Sequence, residues 1–395
     1  MIRAGSRPQP RPPRERLLTL PFCLIVASGL AYFIGLAMLN PVFGPYVKDH
    51  LGRGDTGVGV AAGAFAVGAI ALRPYSGRVG DRIGRRPLLI GGAAVVCVAT
   101  ALYGAVDSFA FFVIVRAVAG LGEAAFFVGA ATMVTDRAPV HRRGEAVSYW
   151  SIAVYGGLAF GPVLGEFVLG PDGDRFGACW AVASFAAGIA VVLALFTREI
   201  SDRPPPPPRG GHLLHRAALG PGLVLFLGFV SLAGWNGFVK LYARDDLGSA
   251  SVGGVFFLYG ALILVIRIAG ARLPDRLGAR RSGTGALGLG ALGMAVVVAW
   301  PSIGGLYAGT AIFALGQSLA YPALLVLAMQ GVDDSERASV VGTFSSSFDL
   351  SQGLGGLLCG FVAEQFGYRE MFAVGAALAV VGLLYLRTAP GLRRP

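Results

Sequence analysis

Arg116 and Glu123 stand seven positions apart in an otherwise apolar stretch, Arg116-Ala-Val-Ala-Gly120-Leu-Gly122-Glu123. On a helix this spacing puts both on one face, separated by a rise of about 10 Å. A direct pair therefore needs a long arginine reach or another partner. An arginine in hydrocarbon costs at least about 2.5–3.5 kcal/mol unless it is solvated or paired, so this one is expected to face a wet cavity. A carboxyl group holds its proton more tightly when desolvated and less tightly beside a guanidinium. A cavity alternating between those conditions would be a proton switch; the plainer reading is two charges knitting helices. Asp349 poses the same question, about 15 Å into its own apolar segment by helical rise, and calls for a partner such as an arginine or Gln352.

Around these three lie polar and aromatic residues in other apolar segments: Asn40, Glu166, Trp235, Asn236, Gln317 and Tyr321, the last one helical turn beyond Gln317. Together they predict an amphiphilic cavity for a small solute, although each alone could serve helix–helix hydrogen bonding. Lys240 is expected to snorkel outward. The histidines (His50, His141, His212, His215) fall in loops or tails, and no metal-ligand set or nucleophile with a positioned base is visible. Neither a metal nor a cofactor is expected. The glycines at Gly77–Gly84 lack the Lys-Ser/Thr of a phosphate loop and a preceding strand, so ATP is not the expected energy source.

The elements that hold these residues must cross a bilayer. Only 14% of the 395 residues are charged and 55% are apolar, against about 25% charged in soluble domains. Leu88–Val106 and Phe176–Thr197 carry no charge over nineteen and twenty-two residues, long enough to span. Spans are expected near 18–47, 56–75, 88–107, 108–135, 145–170, 176–197, 219–243, 250–271, 283–300, 303–330, 338–363 and 368–387. The expected organisation is a tail (1–17), a six-helix bundle (18–197), a linker (198–218) stiffened by Pro204–Pro208, a second six-helix bundle (219–387) and a tail (388–395). The apolar segment after the Arg-rich N-terminus is too long for a signal-peptide core and reads as a retained first helix.

The net charge of +11 comes from 33 basic residues, 31 of them arginine, in short clusters between apolar runs. That distribution does not describe a nucleic-acid face. Twenty-four fall on the side of the termini and six on the other, which predicts cytoplasmic termini. The arginine, alanine and glycine bias hints at a GC-rich bacterial genome, hence an inner (plasma) membrane. A monomer is expected.

A shift of 194 residues carries Arg73 to Arg267, Asp81-Arg82 to Asp275-Arg276, Gly84 to Gly278, Arg143 to Arg337 and Gly161 to Gly355. Charges are rare here, so the charged matches argue for a duplicated bundle. The same shift puts Glu123 on Gln317, keeping that position polar in both halves. Parallel repeats of this kind hold solute at their interface near the midplane.

Gly77-Arg-Val-Gly-Asp81-Arg82-Ile-Gly84-Arg85-Arg86, with its degraded echo around Asp275 and Arg276, resembles the cytoplasmic signature of the major facilitator superfamily. Gly77 and Gly84 would permit a tight turn, and Asp81 could lock neighbouring helices. The resemblance covers the whole chain. It implies an all-α membrane protein of twelve transmembrane helices in two pseudo-symmetric six-helix bundles that rock about a central cavity. Arg116-x-x-x-Gly120-x-Gly122 resembles a signature linked in that family to proton coupling. Gly157-x-x-x-Gly161-Pro162-x-x-Gly165 resembles the element of its proton-coupled efflux carriers, with Ser148 where a leading glycine would stand. The expected protein is thus a secondary active exporter exchanging a small drug-like or metabolite solute for protons. The alternative is a symporter or facilitator importing a polar nutrient. A polytopic lipid-modifying enzyme would need an active-site cluster that is absent from the sequence.

Overall fold

The computed structural model describes residues 17–139, 142–199, 214–249, 251–269, 278–333 and 336–389. They form twelve long helices and, among the described residues, no strand. The helices are α1 (Leu20–His50, kinked), α2 (Asp55–Ile83), α3 (Arg85–Leu102), α4 (Phe109–Asp136), α5 (Arg143–Leu169) and α6 (Phe176–Leu195), followed by α7 (Arg216–Asp245), α8 (Gly253–Ala269), α9 (Ala279–Ala299), α10 (Ile303–Met329), α11 (Arg337–Phe366) and α12 (Tyr368–Thr388). Ten are long and apolar enough to cross a membrane. The other two are α8 and α11. α8 is described only as far as Ala269. α11 carries Ser345-Ser346-Ser347, Asp349, Ser351 and Gln352, while Leu350, Leu354 and Phe361 form an exposed apolar side of the same helix. The outward surfaces are apolar: Phe167, Phe185, Phe196 and Leu20 are all more than two-thirds exposed.

Most of the expected linker (198–218) and both tails lie outside the described residues. So do Asp275 and Arg276, as does the side chain of Asp81. Gly77 does not turn the chain, because α2 runs on to Ile83. The turn is made by Gly84 alone, whose φ of +108° is closed to side chains that carry a Cβ. Gly278, its counterpart under the shift, has a φ of +82°.

The duplication is visible in the packing. α1 lies on α5 as α7 lies on α11, and α3 crosses α4 as α9 crosses α10. A Cβ on Gly122 would stand 2.9 Å from the Gly92 carbonyl oxygen, and one on Gly316 2.5 Å from that of Ala286. Both are the same crossing displaced by 194 residues. In α5, Gly157, Gly161 and Gly165 lie directly against the backbone of α1 from Phe33 to Met38. Such backbone approach is what small residues supply in membranes. At the α2–α4 crossing, Gly68 abuts the Ala117 carbonyl and Gly120 that of Phe65. Gly120→Val should therefore abolish recovery of monodisperse protein by size exclusion. Gly91→Val, where an added Cβ meets nothing within 4 Å, should leave recovery unchanged.

The two bundles meet along α2–α11 and α5–α8. A Cβ on Gly59 would lie 2.5 Å from the Gly356 carbonyl oxygen, and one on Gly360 2.6 Å from that of Asp55, while Gly260 abuts Ala159. These contacts belong to the half of the molecule away from the termini. Polar groups close that same end. The Thr56 amide donates to Glu364 at 2.7 Å, Lys48 bonds Asp245 at 3.0 Å, the Tyr368 hydroxyl donates to Asp55 at 2.9 Å, and Arg244 pairs with Asp49. Each joins one bundle to the other.

Candidate functional site

Three ionisable side chains converge where the bundles meet. Arg73 of α2 pairs through Nη2 with Glu123 Oε2 of α4 at 2.9 Å, and through Nε with Asp349 Oδ2 of α11 at 2.7 Å. The second contact is an ion pair without hydrogen-bond alignment. Glu123 and Arg73 belong to the first bundle and Asp349 to the second. Glu123 lies about 21 Å along α4 from Phe109, and Asp349 about 18 Å along α11 from Arg337, so both sit at mid-depth. All three side chains are largely buried, Asp349 most (6% exposed). Phe127 lies under the Arg73 guanidinium at 5.4 Å. On α10, the Tyr321 hydroxyl shares a hydrogen bond with Ser345 of α11 at 3.0 Å and lies within electrostatic reach of Arg73 and Asp349. The buried Tyr32 hydroxyl of α1, with no hydrogen-bond partner among the described residues, lies within reach of Glu123 and Arg73.

Sequence reasoning placed Glu123 and Asp349 in a shared cleft, and the structure brings them together. It missed Arg73 as the residue joining them. The signal was available, since Arg73 is an arginine at the inner part of a span, repeated at Arg267. The partner expected for Asp349 is this arginine; Gln352 turns instead to the Phe229 carbonyl of α7 at 3.5 Å.

Arg116 is elsewhere. Its Nε donates to the Ala61 carbonyl at 3.2 Å, and its guanidinium lies over Phe43 at 4.0 Å and Phe65 at 4.8 Å. It does not meet Glu123, because two turns of helix are too far for its reach and the aromatic pocket beside Ala61 takes it instead. It clamps α4 to α1 and α2 inside the first bundle.

Lys240 does not snorkel. Its Nζ lies 2.7 Å from Glu166 Oε1, with both side chains only 9% exposed, and Glu166 Oε2 accepts from the Val252 amide at 3.2 Å. This pair ties α7 to α5 across the bundle interface, which a lysine reaching outward would forfeit. Trp235 is fully buried within the second bundle and donates to Thr310 at 3.2 Å. Asn40 and Asn236 are partly exposed, near the far ends of α1 and α7. Gln317 is 7% exposed, and its Oε1 has no partner among the described residues. Gly161 is buried in the α5 face that meets α1, and Pro162 is buried next to it within the helix.

The Arg-rich turn after α2 is held by acids of its own bundle. Glu199 accepts from the amides of Arg85 at 3.3 Å and Arg86 at 3.0 Å, placing a negative charge on the N-terminus of α3, and Arg85 pairs with Asp136 at the end of α4.

A twelve-helix, duplicated, lipid-clad bundle with ionisable groups at mid-depth between its halves is the architecture of a solute carrier. The model of the Major Facilitator Superfamily matches residues 25–345 and 222–395, and the chain belongs to that superfamily of transporters. It is 29% identical over 348 residues to an MFS-type transporter of Salmonella typhimurium, covering 85% of this chain and 88% of the relative. Solved structures share the fold. A POT family transporter in complex with a thioalcohol-conjugated peptide gives a TM-score of 0.79 at 12% identity, covering 94% of this chain and 96% of the other. The nucleoside transporter NupG (D323A mutant) gives 0.77 at 14% identity, covering 95% and 100%.

Proposed function

We propose that this transporter is a proton-coupled exporter, working by alternating access in a bacterial inner membrane with both termini in the cytoplasm. The observation that carries the reading is Arg73 held between Glu123 and Asp349. One guanidinium faces two carboxylates, so the cluster carries a net charge of minus one when all three are ionised. Burying net charge is costly, and one proton on either acid removes it. Because the acids lie on opposite bundles, which of them keeps Arg73 bears on whether the bundles stay joined at mid-depth.

Access from one side at a time needs one closed end. The inter-bundle hydrogen bonds and glycine contacts described above gather away from the termini, which supports a cleft facing the side of the termini. The excess of arginine on that side supports its being the cytoplasm. A cytoplasm-facing cleft suits loading of an exported solute, and the Gly-Pro face of α5 is the sequence feature that favours export over import. In this reading Arg116 supports the fold rather than the coupling. Arg116→Ala should lower the melting temperature of the purified protein, while the pH dependence of its residual transport keeps the wild-type shape.

The test is made with purified protein in liposomes under an imposed pH gradient, using a panel of drug-like and metabolite solutes and an internal pH dye. Movement of solute opposite to protons supports the exporter. Movement of both in the same direction establishes the nutrient symporter instead.

A further inference from the structure

The charged bridge occupies one of two positions that the duplication creates. The 194-residue shift carries Arg73 to Arg267 and Glu123 to Gln317; applied backwards it carries Asp349 to Tyr155. Each acidic partner of Arg73 thus has a neutral counterpart. The guanidinium of Arg267 in α8 lies 4.0 Å from the Tyr155 ring centroid in α5, so this arginine also spans the bundles, but on an aromatic face. Tyr259 of α8 lies within electrostatic reach of both Arg267 and Tyr155, and its ring packs on Trp235 at 4.5 Å and on Phe313 at 6.0 Å.

Among the described residues no carboxylate pairs with Arg267, and its buried Nε has no hydrogen-bond partner. Nor has Gln317 Oε1. Arg267 stands about 21 Å along α8 from Gly253, at the depth of the charged bridge, where a cation without a counter-ion is expensive. Contact with one ring face offsets part of that cost. The ring face takes none of the guanidinium's N–H donors, whose planar fork matches a carboxylate.

We propose that Arg267 is the anion-binding subsite of the transported solute, which is an organic anion whose carboxylate pairs with Arg267 and whose apolar or aromatic body rests against Tyr155 and Tyr259. One arginine of the duplicated pair is satisfied by the protein's own acids, the other by the acid of its cargo. The proposal deepens the exporter reading, on which it rests for transport but not for binding.

The test is equilibrium binding to the full chain purified in detergent, without a pH gradient, using 2-naphthoate and its neutral isostere 2-naphthamide. The wild type should bind naphthoate saturably and at least about tenfold more tightly than the amide, the scale of a charge-assisted hydrogen bond. Arg267→Gln should remove that preference while leaving naphthamide binding as it was, and Arg267→Lys should keep part of it. Three results would overturn the subsite. They are no saturable naphthoate binding by the wild type at millimolar concentration, unchanged preference in Arg267→Gln, or equal loss of both ligands in that variant, which would make the arginine a support of the fold. A failure of proton coupling would leave all of these readouts unaffected.

Discussion

Replacing Asp349 by asparagine removes the response of transport to a pH gradient. So does replacing Glu123 by glutamine. In either variant Arg73 keeps one carboxylate, at 2.9 or 2.7 Å, and the cluster is neutral at any pH near 7. The charge that a proton would relieve is gone. Gradient-driven flux in proteoliposomes should fall by at least about tenfold, a proportion set by roughly 1.4 kcal/mol of lost driving interaction. Exchange of labelled for unlabelled solute at equal pH needs no proton and should continue. Arg73→Ala differs in kind. It leaves two carboxylates buried side by side without a cation, which is destabilising because like charges cannot both ionise there. Its defect should therefore appear in protein yield as well as in flux. A variant at Asp349 or Glu123 that loses exchange along with gradient-driven flux would point to a solute contact instead of a coupling role.

The second large effect is expected at Lys240 and Glu166. Removing one member of a buried ion pair strands the other, at a cost of about 3–5 kcal/mol. Lys240→Met should leave the Glu166 carboxylate with the Val252 amide but without its cation, and Glu166→Leu should take the carboxylate away from an ammonium whose residue is only 7% exposed. Both single variants should melt at markedly lower temperature than the wild type. The double variant should recover most of the loss, because two apolar groups need no partner. Full additivity in that cycle would show that the two side chains are not coupled. The surface bonds at the same end, such as Lys48–Asp245, should matter far less, at about 0–1 kcal/mol each.

Much of the fold could be read from the chain because its signals are long. Apolar runs of twenty residues define spans whatever their neighbours do, and the matches at Arg73/Arg267 and Gly84/Gly278 recur at one fixed offset. The structure keeps that offset in the glycine crossings. The site was legible in part. Glu123 and Asp349 stand out because an acid in an apolar run demands an explanation, and both lie at the bundle interface. Partner choice was not legible. Arg116 follows a signature and shares a face with Glu123, yet Phe43, Phe65 and the Ala61 carbonyl hold it in another part of the bundle. Those groups come from α1 and α2, and no local spacing foretells them. Lys240 misled for a similar reason, since snorkelling is a property of one helix, whereas Glu166 is supplied by a helix seventy-odd residues earlier. Gly77 misled because a glycine in a loop signature can equally well sit in the last turns of a helix, as it does in α2.

Infrared difference spectroscopy tests most directly whether the acids on either side of Arg73 carry the exchanged proton. Films of the full chain in lipid are stepped from alkaline to acidic pH, and the carbonyl stretch of a protonated carboxylic acid is followed. A band should grow in the wild type and be absent from Glu123→Gln, from Asp349→Asn and from the double variant, since either single change already leaves the cluster neutral. The same band appearing undiminished in the double variant would place the proton on other groups and contradict the account.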